Sequence, residues 1–243
     1  MNDLRHRCSI QSNEDRMIAG KKPHNALSPR VLVFNDFLPE SDWQTVDAYC
    51  RSKGDSFEFI GYGSNMRYKE YTHSQRHDIK YQRSYLSDDK NDTGTRHGDN
   101  YKIYMVDLTN TSHFLYDEHT SETLSMMLRV TQRLISDIHG NQTIYESGPW
   151  LSRAPVGGHM NLHCDGTFIA NPDLSTDFSA VYYVNDDYEG GELVIPVIGV
   201  KIKPKANSLI LWSHVWHEDM AHGVLPVTKG ERYMSQGFFA SVD

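Results

Sequence analysis

Residues 181–197, VYYVNDDYEGGELVIPV, contain two short apolar runs separated by Asn, Asp, Tyr and a Gly-Gly pair. Short runs of β-branched and aromatic residues bounded by turn-forming clusters read as strands rather than helix. The rhythm continues toward the C-terminus in SLILW (208–212) and YMSQGFF (233–239), again divided by Asn, Asp, Gly and Pro. Several short strands at such spacing predict an antiparallel sandwich or barrel. From about residue 145 to 243 the chain is therefore expected to form a mainly β jelly-roll core.

Upstream the period changes. From Ser121 to His139, the residues Leu124, Met127, Leu128, Leu134, Ile135 and Ile138 share one helical face, and Gly140 stands where a left-handed residue ends a helix. Val31–Phe34 reads as a strand. A helix is expected after it, with Ser41 as N-cap, Trp43, Val46, Tyr49 and Cys50 buried, and Gly54 as its stop. The helices at 41–53 and 121–139 should flank one sheet. Residues 56–86 and 101–108 read as further strands, and 87–100 as a loop. Residues 1–28 mix charge with Asn, Ser and Gly without hydrophobic periodicity and are expected to be a flexible arm, leaving 29–243 as a single domain.

With 243 residues, 38% hydrophobic and 11% aromatic, the chain can bury a core, which excludes wholesale disorder. A formal net charge of −8 disfavours a nucleic-acid partner, because phosphate binding needs a positive surface. No run approaches the roughly 20 apolar residues that cross a bilayer, and the first residues lack the apolar segment of a secretory signal. Cys8, Cys50 and Cys164 are too few and too dispersed for a disulfide framework or a zinc finger. These features lead to the expectation of a cytoplasmic protein with no membrane partner; oligomeric state stays open.

His163-Cys164-Asp165 carries the chemistry. In a strand, residues i and i+2 share a face, so His163 and Asp165 can reach one ion while Cys164 turns away. His-x-Asp occurs three times, also as His97/Asp99 and His217/Asp219. The first lies in the expected loop and the second leaves little chain for a distant third ligand. Downstream of His163/Asp165 stand His222 and then Arg232, at the head of another strand. Two imidazoles and a carboxylate leave coordination positions open, the facial arrangement of a non-haem Fe(II) oxygenase. A guanidinium nearby can grip a carboxylate through paired hydrogen bonds.

These segments, in this order, resemble the Fe(II)/2-oxoglutarate dioxygenases, and within them the prolyl 4-hydroxylase-like branch. VLVFNDFLPESDWQTV (31–46) is similar to the branch's entrance strand and helix, and HCD (163–165) to its metal triplet. SAVYYVNDDYEGGELVIP (179–196), KPKANSLILWSH (203–214) and HGVLPVTKGER (222–232) resemble its later core strands and turns. The resemblance covers roughly 31–243, with 55–145 matching only vaguely. It implies a double-stranded β-helix fold, Fe(II) held by His163, Asp165 and His222, and Arg232 on the distal carboxylate of 2-oxoglutarate. It further implies O2 as co-substrate, with ascorbate a candidate accessory, and no catalytic side chain beyond the metal and co-substrate ligands. The implied reaction hydroxylates an aliphatic C–H, a peptidyl proline first among substrates, with 2-oxoglutarate leaving as succinate and CO2.

Two departures stand out. Many relatives carry Lys where Arg232 stands, and a Tyr where this chain has Ala154. Asn161, two residues before His163, is the substitute candidate for the second co-substrate anchor; a strand-edge Asn without that role is the equal alternative. His159 and His214 are out of register for ligands and are expected at the surface or in support. His217 is the rival of His222. Gly190-Gly191-Glu192 lacks the strand-to-helix context of a phosphate loop and reads as a tight turn. Tyr62, Tyr68, Tyr71, Tyr81 and Tyr85 interleave with Arg67, Lys69, Arg76, Lys80 and Arg83, either as an exposed β-ribbon or as a substrate lid. The alternatives to a peptidyl substrate are a free amino acid, small metabolite or nucleobase, or a jelly-roll binding module without catalysis.

Overall fold

The computed structural model describes residues 25–28, 30–53, 58–61, 102–107, 118–140, 142–145, 150–163, 165, 176–214 and 220–242. The expected loop 87–100, the aromatic ribbon 62–85, Cys8, Cys164, Gly54 and the pairs at His97 and His217 lie outside the described residues.

The described elements are β1 (Asn25–Ser28), β2 (Val31–Phe34), α1 (Glu40–Lys53), β3 (Glu58–Gly61), β4 (Lys102–Asp107) and α2 (Glu118–His139). Then follow β5 (Thr143–Tyr145), β6 (Trp150–Ala154), β7 (Met160–His163), β8 (Phe178–Tyr183), β9 (Glu189–Gly190) and β10 (Leu193–Ile195). A 3-10 turn at Pro196–Ile198 leads into β11 (Val200–Ile202), β12 (Ser208–Ser213), β13 (His222–Val224), β14 (Val227–Lys229) and β15 (Arg232–Ser241). Among the described residues the larger sheet runs β1-β2-β12-β8-β15-β6-β4-β3, with β5 also on β15, and the smaller runs β11-β10-β13-β7. β9 and β14 form a separate ribbon.

Alternation sorts the side chains of the larger sheet into two cores. On one face Leu32, Phe34, Phe178, Ala180, Tyr182, Leu209, Leu211, Tyr233 and Phe239 pack against the helices. α1 supplies Val46, Tyr49 and Cys50; α2 supplies Leu124, Met127, Leu128, Val130, Leu134 and Ile135. Each fully buried side chain of this size contributes roughly 1.5–3 kcal/mol. On the other face Val31, Tyr183, Ile210, Trp212 and Met234 meet Met160, Leu193, Ile195, Val200 and Val224 of the smaller sheet. Two antiparallel sheets facing each other, with helices on the outside, make a jelly roll.

Local boundaries differ from the sequence reading for physical reasons. α1 begins at Glu40, because the Asp42 and Trp43 N–H groups both donate to the Pro39 carbonyl at 3.0 Å. Ser41 therefore sits inside the first turn instead of capping it. Gly140 does end α2, at φ 74°, but Ile138 is 43% exposed. His139 covers the sheet in its place, with its ring 4.9 Å from that of Phe178. Asn25–Ser28, the end of the expected arm, pairs with β2 as an edge strand.

The Gly-Gly turn is built as the spacing suggested. Gly190 has φ +71°, and a Cβ there would lie 2.2 Å from the Pro226 carbonyl oxygen. That neighbour is backbone held in the β9–β14 ribbon, so it cannot yield cheaply. Gly190→Ala is expected to cost at least about 2 kcal/mol, from left-handed strain and overpacking together. Thermal denaturation should show a melting temperature lower by at least about 4 °C; an unchanged one would contradict this account of the turn.

Candidate active site

The smaller sheet brings two distant parts of the chain together. β13 pairs with β7 in antiparallel register, His222 opposite His163 and Val224 opposite Met160, with an irregularity between them. The side chains of Asn161 and His163 lie outside the described residues, so their strand position is what the structure adds. Asp165 follows just beyond β7, and its Oδ2 lies 3.6 Å from Nε2 of His222.

His222 is buried and oriented from behind. Its Nδ1 lies 3.0 Å from the Met220 carbonyl, which can only accept, so Nδ1 carries the proton. Nε2 then turns a lone pair toward the Asp165 carboxylate. Two electron-pair donors turned toward one another call for a cation, and a His fixed by a backbone carbonyl through its other nitrogen is the usual metal-binding tautomer. Trp212 packs edge-on at 4.8 Å between ring centroids and fixes the imidazole plane.

A second group sits at the same oxygen. Ser179 Oγ donates to Asp165 Oδ2 at 2.5 Å, and His214 Nε2 lies 2.7 Å from Ser179 Oγ and 3.1 Å from Asp165 Oδ2. The His214 ring centroid is 5.7 Å from that of His222. Among the described residues no group of three His, Cys, Asp or Glu side chains is arranged to hold a metal.

Arg232 opens β15 on the face turned to the smaller sheet and is 0% exposed. Its Nη1 donates to the Gly191 carbonyl at 3.1 Å, while Nε and Nη2 are buried without a hydrogen-bond partner. Ala154 is its register partner on β6 and is itself buried in the inter-sheet core. Tyr183 and Tyr188 belong to the same cluster. Burial pushes the Tyr183 hydroxyl up to about 12, with the Arg232 charge pulling the other way. Burial likewise raises Tyr188, again against Arg232, and the Tyr188 hydroxyl is buried with no hydrogen-bond partner. Lys203 caps that ring, its Nζ 3.3 Å from the centroid.

Residues 149–240 match the 2OG-Fe(II) oxygenase superfamily. That match covers less than half of the chain. Among curated relatives it is similar to a PKHD-type hydroxylase of Sphingopyxis alaskensis, 35% identical over 101 residues, which cover 39% of this chain and 44% of the relative. The match thus spans less than half the length of that relative. Among solved structures, the chain resembles a prolyl hydroxylase of Trichoplax adhaerens in complex with a hypoxia-inducible-factor peptide fragment. The TM-score is 0.57 at 16% identity, over 96% of this chain and 92% of the other. The viral collagen prolyl hydroxylase of Paramecium Bursaria Chlorella virus-1, in its 2OG complex, gives 0.54 at 15% identity over 88% and 97%. At such identities the likeness shows the fold alone, a jelly roll like that of these two proteins.

Within this site, Asp165 and His222 converge, and Arg232 opens β15 on the face turned to the smaller sheet. His159 is half-buried and bonds the nearby Gly157 carbonyl through Nδ1 at 2.8 Å, a local turn contact. His214 is not a surface residue: it is fully buried beside Asp165. Sequence reasoning left Ser179 and Tyr188 out. The inward alternation of SAVYY was the available signal for Ser179, whereas nothing local distinguished Tyr188 from a turn tyrosine.

The hydrogen bonds assign opposite tautomers to the two buried imidazoles. Ser179 has one proton and gives it to Asp165, so His214 must bring its own on Nε2, while His222 carries its proton on Nδ1. Long-range nitrogen–proton NMR of the metal-free protein should show this pair of patterns. Nε2–H on His222 would contradict the lone-pair orientation described here.

Proposed function

We propose that this protein is an Fe(II)- and 2-oxoglutarate-dependent dioxygenase that hydroxylates an aliphatic C–H, with a peptidyl proline as its substrate class. Arg232 carries the reading. A buried guanidinium with Nε and Nη2 unanswered is a costly feature unless an anion completes it, and a carboxylate answers both donors in parallel. Arg232 is on the same face of β15 as Met234, which clusters with Met160, Leu193 and Val224, an apolar setting that suits the short carbon chain of a keto diacid.

His163, Asp165 and His222 would hold the ferrous ion. When bound, that ion with 2-oxoglutarate and O2 supplies the oxidising power for hydroxylation, 2-oxoglutarate leaving as succinate and CO2. The chain's own groups bind and orient. The Met220 carbonyl keeps the His222 proton on Nδ1. Arg232 holds a carboxylate at the floor of the space. Tyr188, kept protonated by burial, can donate its unpartnered hydroxyl to an anion near Arg232, and we propose it alongside Asn161 as a candidate second anchor. Trp212 and Met220, both buried, exclude water from His222. A peptide substrate is supported by the Trichoplax relative, whose structure contains one. Dispersed cysteines, with Cys50 a buried free thiol, suit a reducing compartment such as the cytoplasm.

With Fe(II), 2-oxoglutarate and O2 the protein should release succinate, and a proline-containing peptide substrate should gain one oxygen by mass spectrometry. Arg232→Gln is the sharper test, since reversing a fully buried charge would endanger folding. It should weaken 2-oxoglutarate binding by at least about 100-fold, about 2.7 kcal/mol and the size of charge-assisted hydrogen bonds, while Co(II) affinity holds. Equal loss of both would place Arg232 outside the co-substrate site.

A further inference from the structure

We infer that His214 and Ser179 are positioning residues for Asp165, holding its carboxylate for the ferrous ion from the opposite sheet. This rests on the oxygenase reading and adds a device to it.

Asp165 lies two residues beyond His163, where β7 ends. The larger sheet supplies the restraint. Ser179 lies on β8 opposite Trp212 of β12, and His214 follows directly after β12, its own N–H donating to the Asp177 carbonyl at 2.6 Å. The two side chains therefore come from adjacent, fully paired strands, and both reach Oδ2 of Asp165, at 2.5 Å and 3.1 Å.

The protons in this triangle fix the roles. Asp165 can only accept, so the Ser179 proton goes to it. Ser179 Oγ then accepts, and His214 Nε2 at 2.7 Å must donate. A nitrogen that donates has no lone pair for a metal, and the other nitrogen, Nδ1, is buried without a partner. His214 thus stands behind the carboxylate as a donor, whereas His222 faces it as a ligand. The aspartate is oriented in advance by donors on the larger sheet, and the histidines at 163 and 222 belong to the smaller one. Residues that orient metal ligands in this way typically change metal affinity about 10- to 100-fold when removed.

The test is Co(II) binding to the full chain, by calorimetry and by the absorption spectrum of the bound ion. His214→Phe keeps the ring volume and removes the donor; Ser179→Ala removes one atom; His214→Gln restores an N–H donor. Affinity should fall about 10- to 100-fold in His214→Phe and Ser179→Ala and return most of the way in His214→Gln, with the spectrum of the wild type. Unchanged affinity in folded Ser179→Ala and His214→Phe overturns the inference, as does a His214→Gln no better than His214→Phe. An altered spectrum in His214→Gln would make His214 a ligand and overturn it too. Should His214→Phe fail to fold, Ser179→Ala decides alone. A wild type that binds Co(II) no better than His222→Ala would instead overturn the oxygenase reading itself.

Discussion

A guanidinium sealed from water, with two of its nitrogens lacking partners, is the constraint around which this molecule is organised. Burial of an ion costs several kcal/mol after relaxation, and Arg232 recovers only part of that through the Gly191 carbonyl. The fold could have avoided the cost with an apolar residue at the head of β15, as it does two residues on with Met234. Instead the neighbouring strand contributes Ala154, small enough to leave room, and the turn before β10 contributes a carbonyl to one nitrogen only. A charge kept in this way is complementary to something that arrives from outside, and a dicarboxylic keto acid has the matching end.

The two sheets divide the remaining work. The larger sheet is braced on its outer face by α1 and α2 and therefore presents a rigid inner face; Gly237 on β15 lacks a side chain where Leu128 of α2 comes close, a Cβ there lying 2.4 Å from Leu128 Cδ2. From that inner face come Arg232, Ser179 and, just past β12, His214. The smaller sheet carries His163 and His222 on paired strands. Asp165 joins the two, borne by the chain leaving β7 and held by side chains of the other sheet. A site assembled from both sides of a sandwich exists only when the sandwich is closed, which links its geometry to the stability of the whole core.

Much of this was legible in the chain, for identifiable reasons. Strands such as 178–183 and 208–213 announce themselves because one inner and one outer core enforce alternation with almost no polar interruption. α2 was legible because its apolar face is long, and Gly140 because a left-handed residue favours glycine. The approach of Asp165 to His222 and the place of Arg232 at the head of a strand were legible as a motif. Other features depend on tertiary placement and leave no local trace. His214 sits in a segment that reads as a strand end, and only the pairing of β12 with β8 brings it to Ser179. Ile138 has the right periodicity, yet His139 takes the contact. Asn25–Ser28 is polar enough to resemble a tail, but an edge strand needs only one partner, and β2 provides it.

The central claim is that Asp165, His222 and His163 share one ion beside the Arg232 guanidinium. Anomalous diffraction from crystals grown with Mn(II) and 2-oxoglutarate under anaerobic conditions tests it most directly. The account predicts one manganese peak within coordination distance of all three side chains, and the far carboxylate of the diacid on Nε and Nη2 of Arg232. Manganese bound elsewhere, or a diacid that leaves those two nitrogens untouched, would contradict it.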